Sequence, residues 1–209
     1  ASDYYTLALT KGINAEKAKS AAYYRANALT RLVLSDTSFI NQAINYLDYY
    51  LANYPADEKS DEIKYKLLTQ KITLSSTQGS EKLLNEFITG NPKSNLIPSV
   101  LKTLGDNYYL SKNYNDATPT YQRLLREYPN SEVAEYANFQ LGKIYFETSS
   151  NDSCITTFSK FIDKYSNGIY TAGAMKMLAD AFLNQTRYNE AVKIIQQLTE
   201  QFYYTQVLD

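Results

Sequence analysis

The sequence predicts an all-α stack of helix-turn-helix units rather than a fold closed around one central core. Three observations predict it. A punctuation mark recurs every 37 residues, at Asn53-Tyr54-Pro55, Gly90-Asn91-Pro92, Glu127-Tyr128-Pro129, Lys164-Tyr165-Ser166 and Gln201-Phe202-Tyr203. A small residue recurs at the same interval, at Ala43, Ser80, Ala117, Cys154 and Ala191. Bulky residues follow it in two columns: Leu47, Leu84, Tyr121, Phe158 and Ile195, then Tyr50, Phe87, Leu124, Phe161 and Leu198. A fixed period of this size marks a solenoid, in which each unit packs on its neighbours and the array needs no central core.

Counted from the first repeat, the units span 24–60, 61–97, 98–134, 135–171 and 172–208. In each, the small and bulky columns stand four and three residues apart, which puts them on one face of a second helix. A first helix carries its own apolar face, as in Leu101, Leu104, Gly105 and Tyr108. Polar breaks separate the two helices: Ser111-Lys112-Asn113, Thr148-Ser149-Ser150-Asn151-Asp152 and Asn184-Gln185-Thr186. Pro55, Pro92 and Pro129 fall after the second helix, where proline stops continuation. Asn130-Ser131 and Lys93-Ser94 read as caps for the helix that follows. The small columns are expected to let two backbones approach, with the bulky columns filling the space beside them. Residues 1–23 read as an N-terminal capping helix region. There Leu7 and Leu9 suggest a short helix ended by Lys11-Gly12, and Asn14 caps the next. At the other end Asp209 would open a sixth unit, so the chain either finishes on a terminal helix or continues as a longer array.

Composition narrows the function. Histidine is absent, which removes the commonest general base and metal ligand. Net charge is −1 over 209 residues, with no basic stripe of the kind that binds nucleic acid. No apolar run is long enough for a membrane span. The one cysteine, Cys154, sits in the small column and reads as a buried spacer. Asp57-Glu58-Lys59-Ser60-Asp61-Glu62 lacks the glycine and spacing of a calcium loop and reads as a solvated link. Asn151-Asp152-Ser153 and Asn184-Gln185-Thr186 match glycosylation acceptors and are placed in inter-helix turns, where such triplets are common by chance. The 21 tyrosines, with apolar bodies and polar tips, suit positions half in a core and half in water.

The columns resemble the tetratricopeptide (TPR) pattern W-x2-L-G-x2-Y, A-x3-F, P. The third unit fits best, through Leu101, Leu104-Gly105, Tyr108, Ala117, Tyr121 and Pro129. The fourth follows with Leu141-Gly142, Tyr145, Cys154 and Phe158, and the fifth with Leu178-Ala179, Phe182, Ala191 and Ile195. The first two depart from it, with Arg31 and Leu68 for the glycine and Lys71 for the aromatic. The resemblance implies a right-handed α-solenoid of about five TPR-like helix-turn-helix units with a 37-residue period. The longer spacing, with Tyr128-Pro129-Asn130-Ser131 between units, is similar to a bacterial envelope subgroup. That subgroup includes the TPR lipoprotein of outer-membrane assembly and the Tol–Pal-associated TPR protein. It implies a non-catalytic scaffold or adaptor, periplasmic or outer-membrane-associated, with cytoplasm as the alternative. A lipid anchor upstream of Ala1 is compatible with that placement.

By the TPR pattern the first helix of each unit lines a concave groove. That implies partner-binding residues Tyr65, Lys102, Tyr109, Tyr136, Phe139, Lys143 and Phe146. Aromatic anchors beside positive charge suit a protein or peptide segment, helical or extended, with an acidic group. A competing reading packs some of these aromatics against the neighbouring unit. Gripping a chaperone's carboxylate tail is not expected, because Ala28 and Leu32 stand where lysine and asparagine are wanted. No enzyme activity, metal or cofactor is expected. The alternative function is a spacer or docking fragment of a larger multidomain protein, and a weaker third is glycan binding on the tyrosines.

Overall fold

The computed structural model describes residues 14–203. The expected helix around Leu7 and Leu9 and the sixth-unit start at Asp209 lie outside the described residues. Among the described residues every regular element is helical. Two compact units, Ala1–Val100 and Leu101–Asp209, meet inside one helix. The first unit holds α1 (Ala15–Val33), α2 (Ile40–Asn53), α3 (Ser60–Thr73) and α4 (Thr77–Gly90). Helix α5 (Ile97–Leu110) carries the boundary. The second unit continues with α6 (Tyr114–Glu127), α7 (Ala134–Glu147), α8 (Asn151–Lys164), α9 (Thr171–Asn184) and α10 (Tyr188–Leu198). Consecutive helices pack: α1 on α2, α2 on α3 and α3 on α4 in the first unit, and the run α6 to α10 in the second, where α7 also meets α9.

The period reappears in the helix bounds. First helices α3, α5, α7 and α9 start 37 residues apart and are 14 residues long. Second helices α2, α4, α6, α8 and α10 keep the same interval. The punctuation residues Tyr54, Asn91, Tyr128 and Tyr165 are the C-caps of α2, α4, α6 and α8. All four share one conformation, φ −122° to −135° and ψ 47° to 55°. Each backbone N–H still reaches the carbonyl four residues back, at 2.8–3.0 Å. A proline after three of them then fixes φ and lacks the N–H that another helical turn needs.

The expected caps at Ser94 and Ser131 do not cap α5 and α7. Helix α7 starts at Ala134 behind Val133, with no side-chain cap bond. Overlapping backbone turns replace the cap, with Ser131 N–H donating to Tyr128 O at 3.1 Å and Ala134 N–H to Ser131 O at 3.0 Å. Ser94 Oγ accepts from Leu96 N–H at 3.3 Å, also within the turn. Asn14 does cap α1, accepting from Glu16 N–H at 2.9 Å.

The small first-helix column also works differently from expectation. A Cβ on Gly105 would stand 2.6 Å from the Tyr121 ring, and one on Gly142 2.5 Å from the Phe158 ring. Each glycine therefore seats an aromatic ring of the second helix on bare backbone, rather than bringing two backbones together. The pairing holds for Gly105 with Tyr121 and Gly142 with Phe158, and the register counterparts of these pairs are Ala179 with Ile195 and Leu68 with Leu84.

Helix α1 stands out of register. It buries Ala18, Ala22, Ala26, Leu29 and Val33, while Arg31 and Leu34, placed in the apolar columns by the 37-residue count, are exposed. Leu29-Thr30 and Val33 therefore replace Thr30-Arg31 and Leu34 in the pattern, one residue earlier. The turn after α1 is longer, holding a 3-10 segment at Thr37–Phe39, and takes up the extra residue. The second helices keep their register: Ala43, Ser80, Ala117, Cys154 and Ala191 are all buried. The core of the second unit gathers Cys154, Phe158 and Phe161 of α8 with Ala174, Leu178 and Ala181 of α9. A short π-helical segment, Thr199–Tyr203, continues from α10, and Ile195 is 44% exposed where Tyr121 and Phe158 are fully buried.

Candidate functional site

The seven first-helix residues expected to bind a partner are all partly buried. Tyr65 lies on α3, its ring edge-on to Phe87 with centroids 6.5 Å apart. The other six lie on α5 and α7, and four of them, Lys102, Tyr109, Tyr136 and Lys143, gather around two carboxylates, Asp106 and Glu147.

The first is Asp106. Its Oδ1 accepts from Tyr121 Oη at 2.6 Å and from Tyr136 Oη at 2.8 Å. Its Oδ2 accepts from Lys102 Nζ at 2.6 Å, one helical turn back. The same ammonium lies 4.1 Å from the centroid of the Tyr136 ring, a cation–π contact. Gln140 Nε2 donates to Tyr136 Oη at 2.6 Å and completes the cluster.

The second is Glu147, which repeats the plan. Tyr109 Oη donates to Oε1 at 2.5 Å and Tyr114 Oη to Oε2 at 2.7 Å. Lys143 Nζ stands 4.0 Å from Oε1 and 4.9 Å from the Tyr109 ring centroid. In both clusters a lysine and an acid four residues later share a carboxylate with two tyrosines. Two of those tyrosines, Tyr121 and Tyr114, come from the second helix α6.

The hydroxyls are held as donors. Burial, then the hydrogen bond to Asp106, drives the Tyr121 phenol far above its ordinary value. Burial together with Asp106, against the bond from Gln140, pushes Tyr136 up to about 12. The hydrogen bond to Glu147 pushes Tyr114 up to about 12, and burial with the same carboxylate raises Tyr109 further. At neutral pH these phenols stay protonated and the network keeps one orientation. Hydrogen bonds to a charged partner are worth roughly 1.5–3 kcal/mol each when shielded, less at these half-open positions.

Phe139 and Phe146 divide between surface and core. Phe139 stacks on Tyr170 at 5.0 Å, approaches Phe158 and Phe161 at 5.9 and 6.2 Å, and packs on the second-unit core. Phe146 packs against the same core. Lys102 and Lys143 are each engaged by an internal acid, so an acidic ligand group would compete with Asp106 and Glu147 for them. The Lys-x3-acid spacing at 102/106 and 143/147 was readable in the sequence. The tyrosines that converge from α6 were not.

Elsewhere, Cys154 is fully buried, and burial pushes its thiol up to about 11, as a packed spacer requires. Asn151 opens helix α8 rather than lying in a turn. Among the described residues no group of three or more acids or cysteines could hold a metal ion, and no helix is long and apolar enough to cross a membrane.

A helix-turn-helix repeat protein with an aromatic, carboxylate-tied first-helix surface is the class these features define. Residues 103–131 and 136–168, within the pairs α5–α6 and α7–α8, match the tetratricopeptide repeat family model. Such repeats generally mediate protein–protein interaction and are typically non-catalytic scaffolds. No curated protein matches the sequence. The fold is similar to the TPR-like repeats of a putative kinesin light chain from Podosopora anserina, with TM-score 0.62, 11% identity, and 87% of this chain and 96% of that chain covered. It is similar to MamA from Desulfovibrio magneticus, with TM-score 0.61, 14% identity and coverage of 86% and 94%. A tetratricopeptide repeat protein from Parabacteroides merdae aligns with TM-score 0.62, 16% identity and coverage of 87% and 67%.

Proposed function

We propose that the chain is a non-catalytic scaffold whose second unit binds a protein segment across the exposed faces of α5 and α7. The observation that supports this most directly is the ordering of Lys102, Tyr109, Tyr136 and Lys143 by Asp106 and Glu147. Ordered aromatic faces carry large contact area at little entropic cost, which is what hot spots need. The segment lays apolar groups on Tyr109, Tyr136 and the outer edge of Phe139, and meets hydrogen-bond donors and acceptors already in place. Its polar groups are neutral or mixed in charge, because the lysines are already matched by acids.

The setting we propose is a bacterial envelope complex, periplasmic or bound at the outer membrane. The 37-residue spacing and Tyr128-Pro129-Asn130-Ser131 between units support that setting. Fractionation of the native host, with the tagged chain followed by immunoblot, tests it; recovery in the cytoplasm alone removes it. A spacer or docking role within a larger protein is the second reading, favoured by the exposed Ile195 column on α10.

Binding is tested by affinity capture from the native host with the wild-type chain and with the Tyr109→Phe, Tyr136→Phe pair. That pair keeps the ring bodies but removes one of the two tyrosine hydroxyls from each carboxylate. Loss of the captured partner by about tenfold, with unchanged circular dichroism, supports the surface. Full retention removes α5 and α7 as the binding face.

A further inference from the structure

Each unit contains a crevice beside the start of a first helix, the two sharing the register positions 61/135, 90/164 and 91/165, and one difference between them points to a ligand. In the first unit the crevice is lined by Asp61 at the start of α3 and by Gly90–Ser94 after α4. Lys64 fills its polar centre from within the chain: its ammonium donates to Asp61 Oδ1 at 3.2 Å and to Asn91 Oδ1 at 3.0 Å. In the second unit the crevice has a volume of about 280 Å³ and is lined by Pro129–Glu132, Glu135, Lys164 and Tyr165. In the 37-residue register Glu135 stands for Asp61 and Tyr165 for Asn91. Lys64, however, is replaced by Asn138, whose side chain is too short to bring a charge to the acid.

The polar atoms there are left over. Glu135 Oε1, Ser131 Oγ and Tyr165 Oη are each buried with no hydrogen-bond partner in the protein. Buried acceptors of this kind cost free energy unless something supplies a donor. Glu132 adds a second carboxylate to the rim. Lys164, the crevice's own cation, lies along its wall, where its ammonium donates to Pro129 O at 3.3 Å and stands 4.9 Å from the Tyr165 ring centroid, and it makes no ion pair with Glu135. Gly168 completes the seat, since Glu135 Oε1 occupies the place a Cβ there would take.

The geometry points to a binding site for a primary ammonium group in the second-unit crevice, held by Glu135 with Ser131 and Tyr165. An ammonium carries three donors and the crevice offers three unmatched acceptors. In the first unit the counterparts of Glu135 and Tyr165, Asp61 and Asn91, are already satisfied by Lys64. A hard metal cation is the poorer fit, because it seeks six or more oxygens and only Glu135 presents an inward carboxylate. The group would arrive as a lysine tip or as a peptide N-terminus. The site does not depend on the α5–α7 surface.

The test is an amide NMR titration of the whole chain with N-acetyl-lysine methylamide, with alaninamide, with tetramethylammonium and with calcium chloride. Saturable shifts at Ser131 and Gly168 are expected with one or both primary amines and not with tetramethylammonium, which has no donor. The amine with the tighter curve identifies the source. Glu135→Gln should weaken the binding by about tenfold. Asn138→Lys should abolish it while leaving Glu135 in place, because the new lysine reproduces the internal contact of Lys64. Circular dichroism checks that each variant is folded. The site is overturned by shifts that are absent with both amines, equal with tetramethylammonium, produced by calcium alone, or unchanged in folded Glu135→Gln and Asn138→Lys.

Discussion

At the scale of single residues, the tyrosines and glycines account for most of what distinguishes this chain. Tyr50 and Tyr121 are fully buried, yet each hydroxyl meets a carboxylate, Asp57 at 2.7 Å and Asp106 at 2.6 Å. The tyrosine thus fills core volume while its tip ties a charged side chain to the helix beside it. The glycines answer the rings. Gly142→Ala places a methyl against the Phe158 ring and should destabilise the chain by about 1–3 kcal/mol. Phe158→Leu, added to it, should recover part of that loss, because the smaller side chain vacates the space the new methyl needs. Urea unfolding of both single variants and the double variant checks this. Strict additivity would show that the two side chains do not share the space. The size of each column could be read from the sequence, but not which residue occupies the missing Cβ, because that depends on ring direction.

At the scale of elements, the helices are set more by their ends than by strong capping side chains. The turns after α5, α7 and α9 each place a non-glycine residue in the left-handed region: Lys112 at φ 58°, Ser149 at 56° and Thr186 at 57°. The next N–H in each turn reaches back five residues, as in Asn113 to Tyr108 O and Arg187 to Phe182 O, both at 2.9 Å. This is the Schellman geometry that glycine favours. Thr186, being β-branched, carries the greatest strain. Thr186→Gly should raise stability by about 0.5–1 kcal/mol, net of glycine's larger unfolded entropy. A melting temperature that falls instead would place the turn's strain elsewhere. The caps show where local reading stops. Ser131 sits where a sequence pattern wants an N-cap, but two successive backbone turns delay α7 until Ala134 and leave its hydroxyl in the crevice. Only the path of the backbone decides that.

At the scale of the molecule, each unit is held by a small number of nodes that join distant segments. Asp57 is the clearest in the first unit. It lies in a stretch that reads as a solvated link, yet it accepts from Tyr50 Oη at 2.7 Å and Lys59 N–H at 2.9 Å and pairs with Lys19 at 2.7 Å. These bonds, Lys19 first, lower its carboxyl from 3.8 to about 2. A depressed carboxylate stabilises the fold above its unfolded value and loses that contribution as pH falls. The stability difference between the native chain and Asp57→Asn should therefore be full at about pH 6 and shrink between about pH 4 and 2. A difference that stays constant across that window would mean the charge on Asp57 is not what joins α1, α2 and α3.

The sequence by itself determined the helical class and the 37-residue interval at which α3, α5, α7 and α9 begin, because a repeated side-chain pattern forces the same local packing each time. Its resemblance to the TPR pattern implied that Lys102, Tyr109, Tyr136 and Lys143 share the first-helix face. Tertiary structure alone decided that Asp106 and Glu147 hold those residues in place, that Phe139 is shared with the core, that α1 is shifted by one residue, and that Glu135 faces a crevice without the lysine its counterpart has. Each of these depends on where a side chain of one helix meets another, and periodicity places helices without stating which tips converge.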